Sequence, residues 1–298
     1  TQGIYSVAIG WNSGNNNQGA DSVAIGDEAG RYTQGTQSVA IGAYSARGSQ
    51  QSNSIAIGYY AGSTNQSNGS VAIGYNAGYT GQGNNPVGTR QGYSVAIGSG
   101  AGATYQTSYA VAIGAQAGNN NQGEVAISIG QNSASNNQGY GAIAIGQNSG
   151  QDNQQIFTVA IGQAAGQTNQ SLQSIAIGQA SGQNYQGGYS IALGNQAGYA
   201  ATNAYQSNFF GLSAGQYATN ANNSIFIGSL YGVGGNGGSF NNCISIQTGN
   251  PPFYCSNGSL KLYNCVGISS TTSAVAAYLA GSICSNCTFI TTGGYCAI

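Results

Sequence analysis

Histidine and methionine are absent from this 298-residue chain, and charged residues make up only 3% of it. Without histidine there is no imidazole to shuttle protons or bind a metal near neutral pH. The five acids, Asp21, Asp27, Glu28, Glu124 and Asp152, are scattered, and the adjacent Asp27 and Glu28 would point to opposite faces of a strand. An enzyme needs placed acids, bases, nucleophiles or metals, so the expectation is no catalysis, no catalytic or metal residues and no cofactor. Four cations, Arg31, Arg47, Arg90 and Lys261, leave no electrostatic footprint for nucleic acid or an anionic membrane. No apolar run approaches the length that crosses a bilayer as a helix, so membrane insertion is not expected either. A chain that starts at Thr1 and lacks Met reads as a processed or excerpted product, so a missing secretory signal carries no weight. Cysteine is missing from everything before residue 243.

What is present is a period. Ser-Val-Ala-Ile-Gly first appears at Ser6 to Gly10, and its glycine recurs at Gly26, Gly42, Gly58 and Gly74. After a single step of twenty-four it continues at Gly98, Gly114, Gly130, Gly146, Gly162, Gly178 and Gly194; degenerate copies end at Gly211 and Gly228. The usual step of sixteen residues is too short for two-helix repeats or propeller blades. It suits one coil of a parallel β-solenoid, two short strands and two turns stacked by translation. The expected fold is therefore all-β: a β-roll of about 16 residues per coil and about 14 coils, over residues 1–230. At one strand spacing per coil, that is a rod on the order of 65 Å long.

Within each motif the residues flanking Ala share one face by strand alternation, and the expectation is that Val7 and Ile9 and their equivalents point into the coil. Ala8, Ala24, Ala40, Ala56, Ala72, Ala96, Ala112, Ala144, Ala160, Ala176 and Ala192 would then point out, giving way to Phe209 and Phe226 at the end. A solvated strand face normally carries larger polar side chains, so a Ser-Ala-Gly face predicts close approach by another sheet, an oligomer face. Eight residues after the motif glycine stand Gln18, Gln34, Gln50, Gln66, Gln82, Gln106, Gln122, Gln138, Gln154, Gln170 and Gln186. Stacked coils would align these amides into a hydrogen-bonded ladder; a carbohydrate-binding row is the alternative. Outward positions are rich in Asn, Gln and aromatics, including Trp11, Tyr32, Tyr59, Tyr60, Tyr75, Tyr79, Tyr105 and Tyr185, the residue types through which carbohydrate and protein surfaces bind. The long step adds residues near Gly83 to Arg90, an insertion that a solenoid carries as a loop.

The glycine-rich stretch within residues 231–240 reads as a linker. Residues 241–298 hold Cys243, Cys255, Cys265, Cys284, Cys287 and Cys296, a density that predicts a small disulfide-rich β cap domain in an oxidising, extracellular compartment. Fifteen pairings are open. Cys284 and Cys287 form a lone CxxC without histidine or a second pair, so disulfides are favoured over zinc.

The repeated Ser-Val-Ala-Ile-Gly, followed by a small residue and glycine, resembles the head repeat of the trimeric autotransporter adhesins, the YadA-like heads, from Tyr5 to Gly228. Similar repeats occur in predicted fibre proteins of phages and large DNA viruses. The resemblance implies a left-handed parallel β-roll, three chains side by side and an adhesive rod at a cell or virion surface. The expected function is a structural or adhesive fibre: a homo-oligomer, a trimer or a filament, with a host-surface glycan or protein receptor as partner. The alternative is a monomeric surface-binding solenoid such as an ice-binding protein.

Overall fold

The computed structural model describes residues 1–84, 92–202, 204–218, 222–223 and 225–231 and, beyond these, the strands between 239 and 291 named below. The chain divides into two compact units, Thr1–Phe157 and Thr158–Ile298.

In the first unit each Val/Ile-Ala/Ser-Ile motif is a three-residue strand: Val7–Ile9, Val23–Ile25, Val39–Ile41, Ile55–Ile57, Val71–Ile73, Val95–Ile97, Val111–Ile113, Ile127–Ile129 and Ile143–Ile145. They pair in parallel and in register, Val on Val and Ala on Ala, as in Val7 with Val23 and Val111 with Val95. The inserted residues do not disturb the register, because Val71 pairs with Val95 directly. Residues 85–91 of the expected insertion lie outside the described residues; across them the Gly92 N–H donates to the Gly83 carbonyl at 3.2 Å. A second ladder runs through the glutamine side of the coil: Thr33–Gln34 with Ser49–Gln50, and Thr104–Gln106, Asn120–Gln122, Asn136–Gln138 and Asp152–Gln154 in sequence. The fold of this unit is the expected β-solenoid with one coil per motif.

Two features end each motif strand. The motif glycine has φ between +117° and +131° across the repeats, and a Cβ at Gly10 would stand 2.5 Å from the Gly26 carbonyl oxygen of the next coil. Both the conformation and the space therefore demand glycine. Two residues later the chain takes a left-handed conformation again, at Asn12, Glu28, Tyr44, Tyr60 and Asn76 among others. Non-glycine residues seldom adopt this geometry. Here the corner N–H is used by the coil before it: Tyr44 donates to Asp27 O at 2.7 Å and Tyr60 to Ala43 O at 3.1 Å.

The second unit opens with the same strands, Val159–Ile161, Ile175–Ile177, Ile191–Leu193, Asn208–Phe210 and Ile225–Tyr231, again parallel and in register. Ile225–Tyr231 then pairs antiparallel with Ser239–Gln247. From that strand the ladder is parallel once more: Ser239 pairs with Lys261 and Lys261 with Ile283, while Ile244 pairs with Val266 and Val266 with Thr288. Phe253–Cys255 pairs with Ala277–Leu279. Partners in the ladders from Ser239 and Ile244 are twenty-two residues apart, Phe253 and Ala277 twenty-four; twenty-two also separates Asn242-Cys243, Asn264-Cys265 and Asn286-Cys287. The C-terminal segment is thus a second, longer parallel repeat. The cysteine side chains lie outside the described residues, and so do the expected disulfides.

Among the described residues no helix is long and apolar enough to cross a membrane.

Candidate interaction surfaces

The coil is inside out relative to expectation. Ala24, Ala40, Ala56, Ala72, Ala96, Ala112, Ala144, Ala160, Ala176 and Ala192 are fully buried inside their own chain, Phe209 and Phe226 are buried with them, and only Ala8 of the first coil is half-buried. The predicted Ser-Ala-Gly oligomer face is therefore corrected: these residues are the coil interior. The reason is thickness. A Cβ placed on Gly14, Gly62 or Gly166, in the opposite wall, would lie only 3.2–3.3 Å from the Cβ of Ala8, Ala56 or Ala160. An interior this thin has no room for Val and Ile.

Glutamine fills what space remains. Gln34 Nε2 donates across the coil to Val23 O at 2.8 Å, and Gln66 to Ile55 O at 2.8 Å, a pattern repeated coil by coil. The same amides stack: Gln50 donates to Gln66 and Gln66 to Gln82, both at 3.0 Å, as Gln106 does to Gln122. Where the motif alanine becomes Ser128, the hydroxyl takes the hydrogen bond from Gln122 at 3.2 Å and gives one to Gln138 Oε1 at 2.8 Å. The glutamines are an internal polar spine. Buried to 4% exposure or less, they leave no surface row for carbohydrate.

Val and Ile consequently face outward. Ile41, Ile97, Ile113, Ile129 and Ile177 are each at least 36% exposed, and Val7 and Ile9 on the first coil more so. In the first unit the motif ladder thus presents two β-branched residues per coil on its outer face; in the second unit Leu193, Asn208 and Phe210 take some of these positions beside Val and Ile. The other ladder of the first unit is polar outside: Asn120, Asn136 and Asp152 are linked at 3.1 and 2.7 Å, and Asn121, Asn137 and Asn153 at 3.0 Å. One side of the coil is an apolar stripe and the other an amide ladder.

A third surface gathers aromatics and charge. Tyr44 stacks on Tyr60 with centroids 4.8 Å apart, Tyr59 on Tyr75 at 5.7 Å, and edge contacts join Tyr44 to Tyr59, Tyr59 to Tyr60 and Tyr60 to Tyr79. Arg47 reaches Tyr44 and Tyr32, and Arg31 lies 4.9 Å over Tyr32. Beneath them Glu28, almost buried, accepts hydrogen bonds from Arg31 Nη1 and Arg47 Nε. Those two guanidinium groups hold the Glu28 carboxyl below its ordinary value, with hydrogen bonding the larger cause. Asp27, charged and nearby, pushes the Tyr44 phenol up. Tyr32, Tyr59, Tyr60, Tyr75 and Tyr79 were expected outside and stand together; Tyr44, Glu28, Arg31 and Arg47 were not foreseen as part of a cluster. Their signal was in the period, since Arg31 and Arg47, like Tyr44 and Tyr60, are sixteen residues apart.

Residues 51–77, within this stretch, match the family model of the YadA head domain repeat in two copies. This region is similar to YadA head repeats. The matched residues contain the strands Ile55–Ile57 and Val71–Ile73 with their outward Ile and Val, the internal Gln66 and the Tyr59–Tyr60–Tyr75 corner. No curated protein matches the chain.

Proposed function

We propose that the chain is an adhesive surface fibre protein, outside the cell, whose coils associate side by side through the Val/Ile stripe. The observation that carries this reading is the exposed double row of β-branched residues on an interior too thin to take them. Contiguous exposed apolar surface on this scale is a hallmark of association. Burying it accounts for why Val and Ile, and not Thr or Lys, stand on an outer strand face. The YadA head repeat at residues 51–77 supports an adhesin role and, through it, three chains as the assembly. The role is structural and adhesive, without a catalytic step or a cofactor.

Light scattering on the intact oxidised protein tests it. A mass of about 89 kDa, three times 29.8 kDa, is expected. The exposed pair Ile113→Lys with Ile129→Lys should yield single chains whose circular dichroism is unchanged. A wild-type monomer would overturn the fibre and leave the stripe in water, as in a solenoid that binds a surface alone.

A further inference from the structure

From the corner of four successive coils we infer a binding site for an acidic carbohydrate, a short chain of carboxylate-bearing pyranoses, on the Tyr32–Tyr44–Tyr59–Tyr60–Tyr75–Tyr79 cluster with Arg47. It deepens the adhesive reading above and rests on it for the role, while the site itself lies within one chain.

Three features carry it. Tyr59, Tyr75 and Tyr79 are exposed and Tyr44 and Tyr60 half-buried, and these five rings are held against each other by the contacts described, so little of their side-chain freedom remains to be lost on binding; Tyr32 is exposed beside the arginines. Tyrosine offers an apolar ring beside a hydroxyl, which matches the alternation of C–H and O–H on a pyranose. Arg47 spends its Nε on Glu28, and among the described residues no hydrogen bond occupies its two Nη groups. These form an end-on fork shaped for a carboxylate. The Glu28 charge is buried below and shared with Arg31, and the Asp27 carboxylate beside Tyr44 has a buried Oδ1, so although acids and arginines balance here, the most exposed group of the ion triad is Arg47, at 39%.

A peptide ligand fits less well. Strand addition needs free backbone donors and acceptors, and the corner backbone is already consumed: Tyr44 and Tyr60 donate to the coil before them, and Tyr59 accepts from Asn76 at 3.0 Å. Recognition falls to rings, hydroxyls and the fork. Coils stacked at one strand spacing spread the cluster over about 14 Å, suited to an oligosaccharide more than to one sugar.

The experiment is saturation-transfer NMR and titration of the full chain with trigalacturonic acid, its methyl ester and hexaglutamate. We expect the acid to bind and the ester to bind at least about tenfold more weakly, the scale of a lost charge-assisted hydrogen bond. Arg47→Gln should weaken binding by about tenfold or more. Tyr75→Ala, remote from Glu28, should weaken it severalfold, and Tyr185→Ala in the other unit should leave it unchanged. Native mass is measured for each variant. Equal binding of acid and ester, tighter binding of hexaglutamate, or no binding of the acid overturns the site and leaves the fibre reading intact. A change of mass in Arg47→Gln or Tyr75→Ala assigns the cluster to the chain–chain contact and overturns it too. A monomeric wild type that still binds the acid sinks the fibre and keeps the site.

Discussion

Two stretches of the second unit fill the same coil by opposite chemistry. Around Gln170 and Gln186 the interior is alanine plus a glutamine amide: Gln170 Nε2 donates to Val159 O at 2.8 Å and to Gln186 Oε1 at 3.2 Å. From Asn208 onward the motif alanine becomes Phe209 and then Phe226, and Thr202 and Thr219 stand where glutamine would fall. The two rings stack 5.2 Å apart, both buried. In the glutamine coils a Cβ on Gly166 or Gly182 would meet the amide of Gln170 or Gln186; at Gly198 and Gly215 it would meet the Phe209 ring instead. One ring occupies the space that the amides hold elsewhere, so the motif alanine and the glutamine are exchanged together. The coil has a fixed cross-section, and an amide that satisfies backbone carbonyls or a ring that buries apolar area can each complete it.

The comparison can be broken hardest at the ring. Phe209→Ala empties a site that no glutamine is left to fill, and a loss of about 3–5 kcal/mol is expected, as for buried aromatics in general. Gln170→Ala is predicted to cost less, about 1–3 kcal/mol, chiefly from the carbonyls of Val159 and Ser174 and the Oε1 of Gln186 left without their donor. Stability in stacked repeats is local, so hydrogen exchange resolved by peptide is the suitable measure. Comparable loss of protection at both sites would show that the two fillings are energetically alike. A larger loss at Gln170 would mean that the ladder, not volume, governs the coil.

Acid sharpens the contrast from a third direction, because neither filling titrates. The buried carboxylate of the first unit is Glu28, and the two arginines lower its pKa in the folded state. The unfolded chain, titrating near 4.5, takes up its proton first as the pH falls. The ion triad's stabilisation is therefore full above that value, shrinks below it, and is gone once the folded carboxyl protonates. Protection from exchange around Glu28, Arg31 and Arg47, taken relative to the intrinsic rate at each pH, should fall below about pH 4.5 while the coils of Gln170 and Phe209 stay protected. Glu28→Gln should remove this acid step. A uniform acid response along the chain would show that the triad is not its source.

Much of this was readable from the period. Glycine every sixteen residues located each three-residue strand, the in-register ladders and the harmless insertion before Gly98, because translation along a solenoid fixes who stands on whom. The choice of face was not readable. Alternation says that Val23 and Ile25 share a side and Ala24 takes the other; it does not say which side is inside. Hydrophobicity alone favours the wrong answer. The deciding quantity is the wall-to-wall distance, set by glycines opposite alanines and by a glutamine that must reach the Val23 carbonyl. The tyrosine and arginine cluster was half-legible, as pairs at equal phase. The twenty-two-residue repeat, carried by Asn242-Cys243, Asn264-Cys265 and Asn286-Cys287, went unread because the cysteines invited a disulfide reading first.

Ser128 is where the comparison predicts the smallest effect. It is the motif alanine replaced by a residue one oxygen larger, and it interrupts the direct amide contact by standing between Gln122 and Gln138. Ser128→Ala removes two hydrogen bonds but restores the residue found in the neighbouring coils, where Gln106 reaches Gln122 at 3.0 Å without help. The two glutamines are sixteen residues apart like every other pair, so direct bonding can replace the bridge. The expected change is within about 1 kcal/mol, near the net value of one hydrogen bond. A loss of protection at Gln122 and Gln138 as large as that of Gln170→Ala would show that the spine there depends on the hydroxyl and that the coil has closed around it.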